Sequence, residues 1–85
     1  MTVQKYRILI KKAALRFIER QSHVQRERLL KAIYKLPYEG DIKYFSDLDM
    51  YRLRVGGYRI IYTVSNDILT VSVTDAGNRG DVYKR

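Results

Sequence analysis

The stretch MYRLRVGGYRIIYTV, residues 50–64, carries three arginines in an otherwise largely apolar segment. These are Arg52, Arg54 and Arg59. A guanidinium group binds phosphate through two parallel hydrogen bonds, so several arginines on one surface are typical of a site for phosphate-bearing ligands. Because arginine stays protonated in proteins, such residues stabilise negative charge but are poor proton acceptors.

The two glycines at 56 and 57 determine which of these side chains meet. A two-residue turn at this position predicts an antiparallel hairpin in which Arg54 lies directly opposite Arg59. Side chains alternate between the faces of a strand, so Arg52, Arg54 and Arg59 share one face with Ile61 and Thr63. The opposite face is apolar and is expected to meet the rest of the core; it holds Tyr51, Leu53, Val55, Tyr58, Ile60, Tyr62 and Val64.

This clustering of arginines gives no advantage to folding, because like charges directly opposite each other destabilise a sheet. No acidic residue interrupts either strand of the hairpin. The sequence therefore predicts an anion site on this face. The alternative is that the arginines lie over a solvated sheet or pair with a carboxylate such as Asp47, Asp49 or Asp75.

The C-terminal stretch DAGNRGDVYKR, residues 75–85, supplies more residues of the same kind. Arg79 stands between two nearby glycines, which permit tight turns and the close approach of a ligand. Tyr83, Lys84 and Arg85 follow, and a tyrosine ring can stack on an unpaired base of RNA. Arginines together with an aromatic residue favour RNA over a membrane surface as the ligand, although Tyr83 could instead cover the edge of the sheet.

The hydrophobic pattern predicts the elements that must position these residues. A strand over 5–10 is followed by a helix over 11–21, and a second helix runs from the Ser22 cap to about Leu36, with Gln25 completing a capping box. Residues 37–50 contain proline, glycine and several aspartates, and are predicted to form a loop. Strands over 51–55, 58–64 and 68–74 complete a single domain spanning 1–85. The prediction is an α+β fold, with a two-helix hairpin on one face of a mainly antiparallel four-stranded sheet in the order β-α-α-β-β-β.

Composition narrows the class of partner. The 85 residues include 17 Lys and Arg against 9 Asp and Glu, a net charge of +8, which favours polyanionic partners. Cysteine is absent, which excludes disulfides and thiolate metal sites. No secretory signal or membrane-spanning run is evident, so we expect a cytoplasmic protein without a membrane partner. His23, the one histidine, is expected to lie on the surface.

The segments YRLRVGGYRIIYTV and AGNRGDVYK, separated by one predicted strand, resemble the RelE/ParE superfamily of toxins from type II toxin–antitoxin systems, and the RelE branch in particular. The resemblance covers nearly the whole chain. It implies a ribosome-dependent endoribonuclease that cleaves mRNA in the A site through attack of the 2′-hydroxyl on the adjacent phosphate. No metal or other cofactor is implied.

The resemblance also implies roles for individual residues. Arg52 and Arg54 stand where RelE-like enzymes keep two basic residues, usually lysines, and Arg59 matches the arginine at the scissile phosphate. Arg79 matches the arginine of the C-terminal loop, and Tyr83 the tyrosine that stacks on an mRNA base. Further RNA-binding residues are expected at Asn78, Lys84 and Arg85.

Arginine at position 52 departs from the family pattern and leaves the proton acceptor open between Lys84, a ribosomal group and no protein base. Two alternative functions follow from the same resemblance: a ParE-like inhibitor of DNA gyrase, and an inactive module that binds an antitoxin and acts as a DNA co-repressor. The expected partners are an antitoxin whose acidic, initially disordered segment wraps the toxin, the ribosome with its mRNA, and operator DNA bound through the antitoxin complex.

Overall fold

The protein is described by a computed structural model that covers residues 5–78. Alternating and helical apolar patterns produce seven elements in this range. In chain order they are β1 (Arg7–Ile10), α1 (Lys12–Glu19), α2 (His23–Ile33), β2 (Asp41–Phe45), β3 (Met50–Val55), β4 (Tyr58–Ser65) and β5 (Thr70–Asn78). No helix in this range is long and apolar enough to cross a membrane.

The strands form one mixed sheet in the order β1-β5-β4-β3-β2, in which β1 runs parallel to β5 and the other pairs are antiparallel. The predicted α+β class and the helical hairpin on a mainly antiparallel sheet are confirmed. The described part of the sheet has five strands rather than the four predicted, because Asp41–Phe45 forms an edge strand inside the segment predicted as a loop. An edge strand buries only part of one face, so its alternation of apolar and polar residues is weak. The turn-forming residues on both sides of it made the whole segment resemble a loop.

Each helix packs against the sheet through residues one turn apart. In α1 these are Ala14 and Ile18, and in α2 they are Leu29 and Ile33. The first turn of α2 is capped by Ser22, whose hydroxyl accepts a hydrogen bond from the Gln25 backbone N–H at 3.3 Å. The reciprocal half of the predicted capping box is missing, because the Gln25 Oε1 atom is buried and has no partner among the described residues.

The core lies between the helices and one face of the sheet. Leu53, Val55, Ile60 and Tyr62 are all buried there, as the two-residue hairpin register predicts. Burial of a large apolar side chain contributes about 1.5–3 kcal/mol, so this face fixes the register of the hairpin. The complete buried cluster comprises Ala14, Ile18, Leu29, Ile33, Leu36, Leu53, Val55, Ile60, Tyr62, Val71, Val73 and Ala76.

A β-bulge interrupts the pairing of β4 with β5. Ile61 pairs with Asp75 but Tyr62 pairs with Val73, so Thr74 is an extra residue on β5. Because a bulge shifts the alternation by one residue, Val73 and Ala76 both reach the core although they are three positions apart. The same shift places Thr74 and Asp75 together on the face that carries no helix.

Candidate anion-binding site

The β3–β4 hairpin has the register predicted from the glycine pair. Arg54 lies opposite Arg59, and Arg52 lies opposite Ile61. We call Arg52, Arg54, Arg59 and Ile61 the arginine face; it lies on the side of the sheet away from both helices. Ile61 is only 3% exposed although it is not part of the helix-side core, so the three cationic side chains surround an apolar floor.

The backbone conformation of the β3–β4 turn requires glycine at one of its two central positions. Gly56 has a φ of +59°, whereas the turn places no such demand on Gly57. A positive φ at the first central residue alone is the pattern of a type II′ hairpin turn, which matches the twist of the strands beside it.

The structure adds a carboxylate that the sequence reading did not include. Asp41, in the unpredicted strand β2, lies opposite Arg54 in register. Arg54 Nε donates to Asp41 Oδ2 at 2.7 Å, and Arg52 Nη2 donates to Oδ1 at 3.4 Å. The charge repulsion expected between Arg54 and Arg59 is therefore offset by a neighbouring strand, because Asp41 of β2 supplies a carboxylate partner for Arg54.

The three arginines differ in accessibility. The side chain of Arg52 is 16% exposed, and its Nε atom is buried without a partner among the described residues, whereas the side chain of Arg54 is about half exposed. Arg59 Nη1 donates to the Tyr58 carbonyl at 3.2 Å, which orients that guanidinium along its own strand. Buried donors normally have partners, so the free Arg52 N–H is consistent with a site that accepts an anionic ligand.

Two of the carboxylates considered as partners have other contacts. Asp49 Oδ1 accepts a hydrogen bond from the Tyr44 hydroxyl at 2.9 Å, and this bond raises the pKa of Tyr44 above its ordinary value. Asp75 lies on the helix-free side of the sheet because of the bulge, opposite Ile61, and accepts the Ala76 backbone N–H at 2.9 Å. Asp75 therefore brings a second negative charge close to the arginine face.

Lys43 is a further basic residue that the sequence reading did not include. It lies opposite Arg52 on β2, with its Nζ atom 5.3 Å from the centre of the Phe45 ring. The alternation of Ile42 and Tyr44 with Asp41, Lys43 and Phe45 was the available signal for this strand, but five residues between turn-forming segments are a weak pattern.

Four of the predicted site residues, Arg79, Tyr83, Lys84 and Arg85, lie outside the described residues. Asn78 is the last described residue; it is exposed and pairs with Tyr58 at the turn end of the hairpin. His23 is on the surface as predicted, 3.4 Å from Glu27 at the start of α2. Within residues 5–78 no group of three acidic or histidine side chains gathers as a metal site would require.

Sequence comparison matches residues 8–83 to a family model described as the ParE toxin of the type II toxin–antitoxin system parDE. No sequence among curated proteins matches the chain.

Several solved structures with the same fold are RelE toxins, alone or in complex with RelB. The RelE–RelB complex of Pyrococcus horikoshii matches with a TM-score of 0.78 over 92% of this chain and 99% of that one, at 23% identity. The isolated Escherichia coli RelE toxin matches with a TM-score of 0.71 at 26% identity, covering 92% of this chain and 90% of that one. The RelB–RelE complex of Methanococcus jannaschii also shares 26% identity, with a TM-score of 0.70 over 88% and 94% of the two chains.

Proposed function

Because this chain belongs to the ParE toxin family of type II toxin–antitoxin systems, within the RelE/ParE superfamily, we propose that it is a toxin of the RelE type. In this proposal it is an endoribonuclease that cleaves mRNA in the ribosomal A site and so inhibits translation. The observation that carries the proposal is the arginine face, where Arg54 and Arg59 lie opposite each other with Arg52 beside them.

The proposed cleavage is an intramolecular attack within the RNA backbone, so the protein has to align the reacting groups and stabilise charge. The 2′-hydroxyl oxygen attacks the adjacent phosphorus and the bond to the 5′-oxygen breaks, which leaves a 2′,3′-cyclic phosphate and a 5′-hydroxyl. One proton leaves the 2′-hydroxyl and one is added to the departing 5′-oxygen. Negative charge grows on the phosphorane oxygens during this step, and guanidinium groups fixed around them lower its free energy.

The arginine face would contribute binding and charge stabilisation rather than proton abstraction. Arg59, held along its strand by the Tyr58 carbonyl, would contact the scissile phosphate, and Arg52 and Arg54 would hold flanking oxygens. Arg79 would add a further cation and Tyr83 would stack on a base, with Asn78, Lys84 and Arg85 along the RNA. Since arginine keeps its proton, the 2′-hydroxyl proton would pass to Lys84, to a ribosomal group or to water.

The antitoxin is the expected partner outside the ribosome. Two of the three solved structures named above are complexes of RelE with RelB, and the present chain carries a net charge of +8. An acidic segment that folds as it wraps the toxin would neutralise this charge. The same complex would be the form that contacts operator DNA.

The decisive experiment is translation in vitro with mapping of mRNA 5′ ends. The wild-type protein should produce ends in register with A-site codons, and Arg59→Ala and Arg79→Ala should each abolish them. Arg20→Ala is the matched control, because it removes the same charge from an exposed position after α1. Cleavage that persists in Arg59→Ala would overturn the proposal.

Inhibition of DNA gyrase is the second candidate, since the matching family model is named for ParE. In that case the helical hairpin α1–α2 would make the target contact and the arginine face would be dispensable. Intact mRNA together with inhibited supercoiling, unchanged in Arg59→Ala, would identify this function.

A further inference from the structure

A cavity of about 430 Å³ opens on the helix-covered face, at the end of the sheet away from the Gly56–Gly57 turn. Tyr51 and Tyr62 line it, and they alternate along their strands with Arg52 and Ile61, so it lies on the opposite side of the sheet from the arginine face. We call this cavity the tyrosine pocket; the lining residues that matter for its chemistry are Tyr6, Asp49, Tyr51, Tyr62 and Asn66.

The pocket contains the hydroxyl of Tyr62, which has no hydrogen-bond partner in the described part of the chain. Tyr62 is 1% exposed, yet its hydroxyl forms no hydrogen bond within residues 5–78. Burial is the main cause that raises the pKa of Tyr62 to about 12, and the nearby Tyr51 adds a smaller electrostatic contribution in the same direction. The Tyr62 side chain therefore remains a neutral phenol. The lone pairs of this hydroxyl are available to a hydrogen-bond donor that enters the pocket.

The aromatic walls of the pocket are already packed against one another. Tyr51 stacks on Tyr62 with ring centres 5.2 Å apart and planes 12° apart, and Tyr44 covers Tyr51 at 4.7 Å. Tyr6 donates its hydroxyl hydrogen to Asn66 Oδ1 at 2.7 Å. Because Tyr51 lies between two other rings, a planar base cannot insert against it, and the pocket offers hydroxyl edges instead.

The charge of the pocket is opposite to that of the whole protein. Asp49 is the one charged residue among the described residues that line it, in a chain of net charge +8. Its Oδ1 atom accepts from Tyr44, and the carboxylate forms no ion pair within the described part of the chain. An anion would be repelled at this position, whereas a cation that donates hydrogen bonds would find both charge and acceptors.

We propose that the tyrosine pocket binds the guanidinium group of an alkylguanidine, such as an arginine side chain. A guanidinium carries five N–H donors in one plane, which suits a carboxylate and phenol oxygens at the edges of stacked rings. The cavity volume falls in the lower part of the range for small-molecule sites and accommodates one such side chain. The site is separate from the proposed ribonuclease face, so the two proposals stand or fall independently.

The ligand class is tested with a matched pair of peptides. Titration of the full chain with acetyl-Ala-Arg-Ala-amide, followed by NMR of tyrosine ring signals, should give saturable shifts of Tyr51 and Tyr62. The citrulline peptide has nearly the same shape without the charge and should bind at least tenfold more weakly, as expected for loss of a charge-assisted hydrogen bond. Equal binding of the two peptides would overturn the proposal.

A parallel titration with butylguanidine distinguishes the source of the group. Tighter binding of the peptide would indicate an arginine side chain of a polypeptide, and tighter binding of butylguanidine would indicate a free small molecule. Failure of both to saturate would contradict the proposal.

Variants then test the named groups. Asp49→Asn keeps the side-chain shape and tolerates the backbone φ of +49° at this position, because asparagine readily adopts that conformation. It should weaken binding of the arginine peptide about tenfold, and Tyr62→Phe should weaken it about fivefold. Asp67→Asn, at the exposed turn after β4, removes the same charge and should have no such effect. Unchanged affinity in Asp49→Asn, in a protein with unchanged thermal unfolding, would contradict the proposal.

Discussion

At the scale of single residues, Asp41 contacts two of the three arginines of the arginine face. Its carboxylate lies 2.7 Å from Arg54 Nε and 3.4 Å from Arg52 Nη2, where a phosphate oxygen would be expected to bind. In the proposed function, a ligand phosphate would therefore have to displace Asp41 from Arg54 before it could use the full guanidinium. The side chains of Arg54 and Asp41 are each about half exposed, so this is a surface ion pair. Breaking it costs less than about 1 kcal/mol.

Asp41→Asn is expected to strengthen binding of a short single-stranded RNA about fivefold, because the competing charge is removed while the side-chain shape is kept. Fluorescence anisotropy of a labelled oligonucleotide measures this. Asp47→Asn changes the net charge equally from an exposed turn between β2 and β3. The same gain in both variants would mean that only overall charge matters.

Tyr62 makes stability depend on pH at the alkaline end. Its folded-state pKa of about 12 is above the ordinary value of 10, so the folded protein favours the protonated phenol. This contribution is fully present below pH 10 and is lost as the pH rises from 10 to 12. The free energy of unfolding should fall by an amount on the order of 2 kcal/mol across this window.

Tyr62→Phe should remove that part of the alkaline loss and leave stability near pH 7 almost unchanged, because the hydroxyl has no partner among the described residues. Urea unfolding at several pH values from 7 to 12 would compare the two proteins. A parallel decline of both curves would show that Tyr62 titrates freely in the folded state.

At the scale of elements, the hairpin and the edge strand build the site together. The type II′ turn fixes Arg54 opposite Arg59, and β2 then adds Asp41 and Lys43 beside them. The bulge at Thr74 places Asp75 on the same side of the sheet. Each element alone is short, so the geometry of the arginine face depends on the pairing of β2, β3, β4 and β5 into one sheet.

Gly56→Ala and Gly57→Ala test the turn as a matched pair. A side chain at Gly56 would have to adopt a φ of +59° and would place its Cβ 2.8 Å from Arg28 Nη2. The flexible Arg28 can move, but the backbone strain remains and should lower the free energy of unfolding by about 1–2 kcal/mol. A Cβ at Gly57 meets no atom within 4 Å, so Gly57→Ala should change stability by less than about 1 kcal/mol. Equal losses in urea unfolding would refute the turn assignment.

At the scale of the whole molecule, the sheet separates two surfaces of different chemistry. The arginine face lies on the side without helices, and the tyrosine pocket, which includes the Asp49 carboxylate, lies on the side that packs against the helices. A net charge of +8 attracts any RNA, so the total affinity does not reveal which surface is used. The salt dependence of RNA binding by variants of single residues reveals which surface is used.

Arg59→Ala should lower the slope of log affinity against log salt for single-stranded RNA by about 0.7, the value for one lost phosphate contact. Arg20→Ala removes an equal charge from the end of α1 and should leave the slope unchanged. Filter binding between low and moderate salt measures both slopes. Identical slopes for the two variants would indicate diffuse binding over the whole surface.

The sequence by itself determined the features that depend on local periodicity. The register of the β3–β4 hairpin follows from two glycines and the alternation of apolar residues, and this is why Arg54 could be placed opposite Arg59 and Leu53 in the core. The helical hairpin followed from apolar residues one turn apart and from the Ser22 cap. These signals lie within a few residues of one another, so no knowledge of distant contacts was needed.

Only the tertiary structure decided the features that depend on pairing between distant segments. Strand β2 gains its hydrogen bonds and half-buried face from β3, and Asp41 meets Arg54 only through that pairing. The start of β5 moved from the predicted Ile68 to Thr70, because residues 66–69 form the turn and Leu69 adopts a φ of +46°. The bulge that turns Asp75 toward the arginine side likewise serves to keep Val73 and Ala76 in one core. Packing of the helix-side face therefore decides which charged residues become neighbours on the arginine face. The reason is that the same strand backbone positions the side chains of both faces.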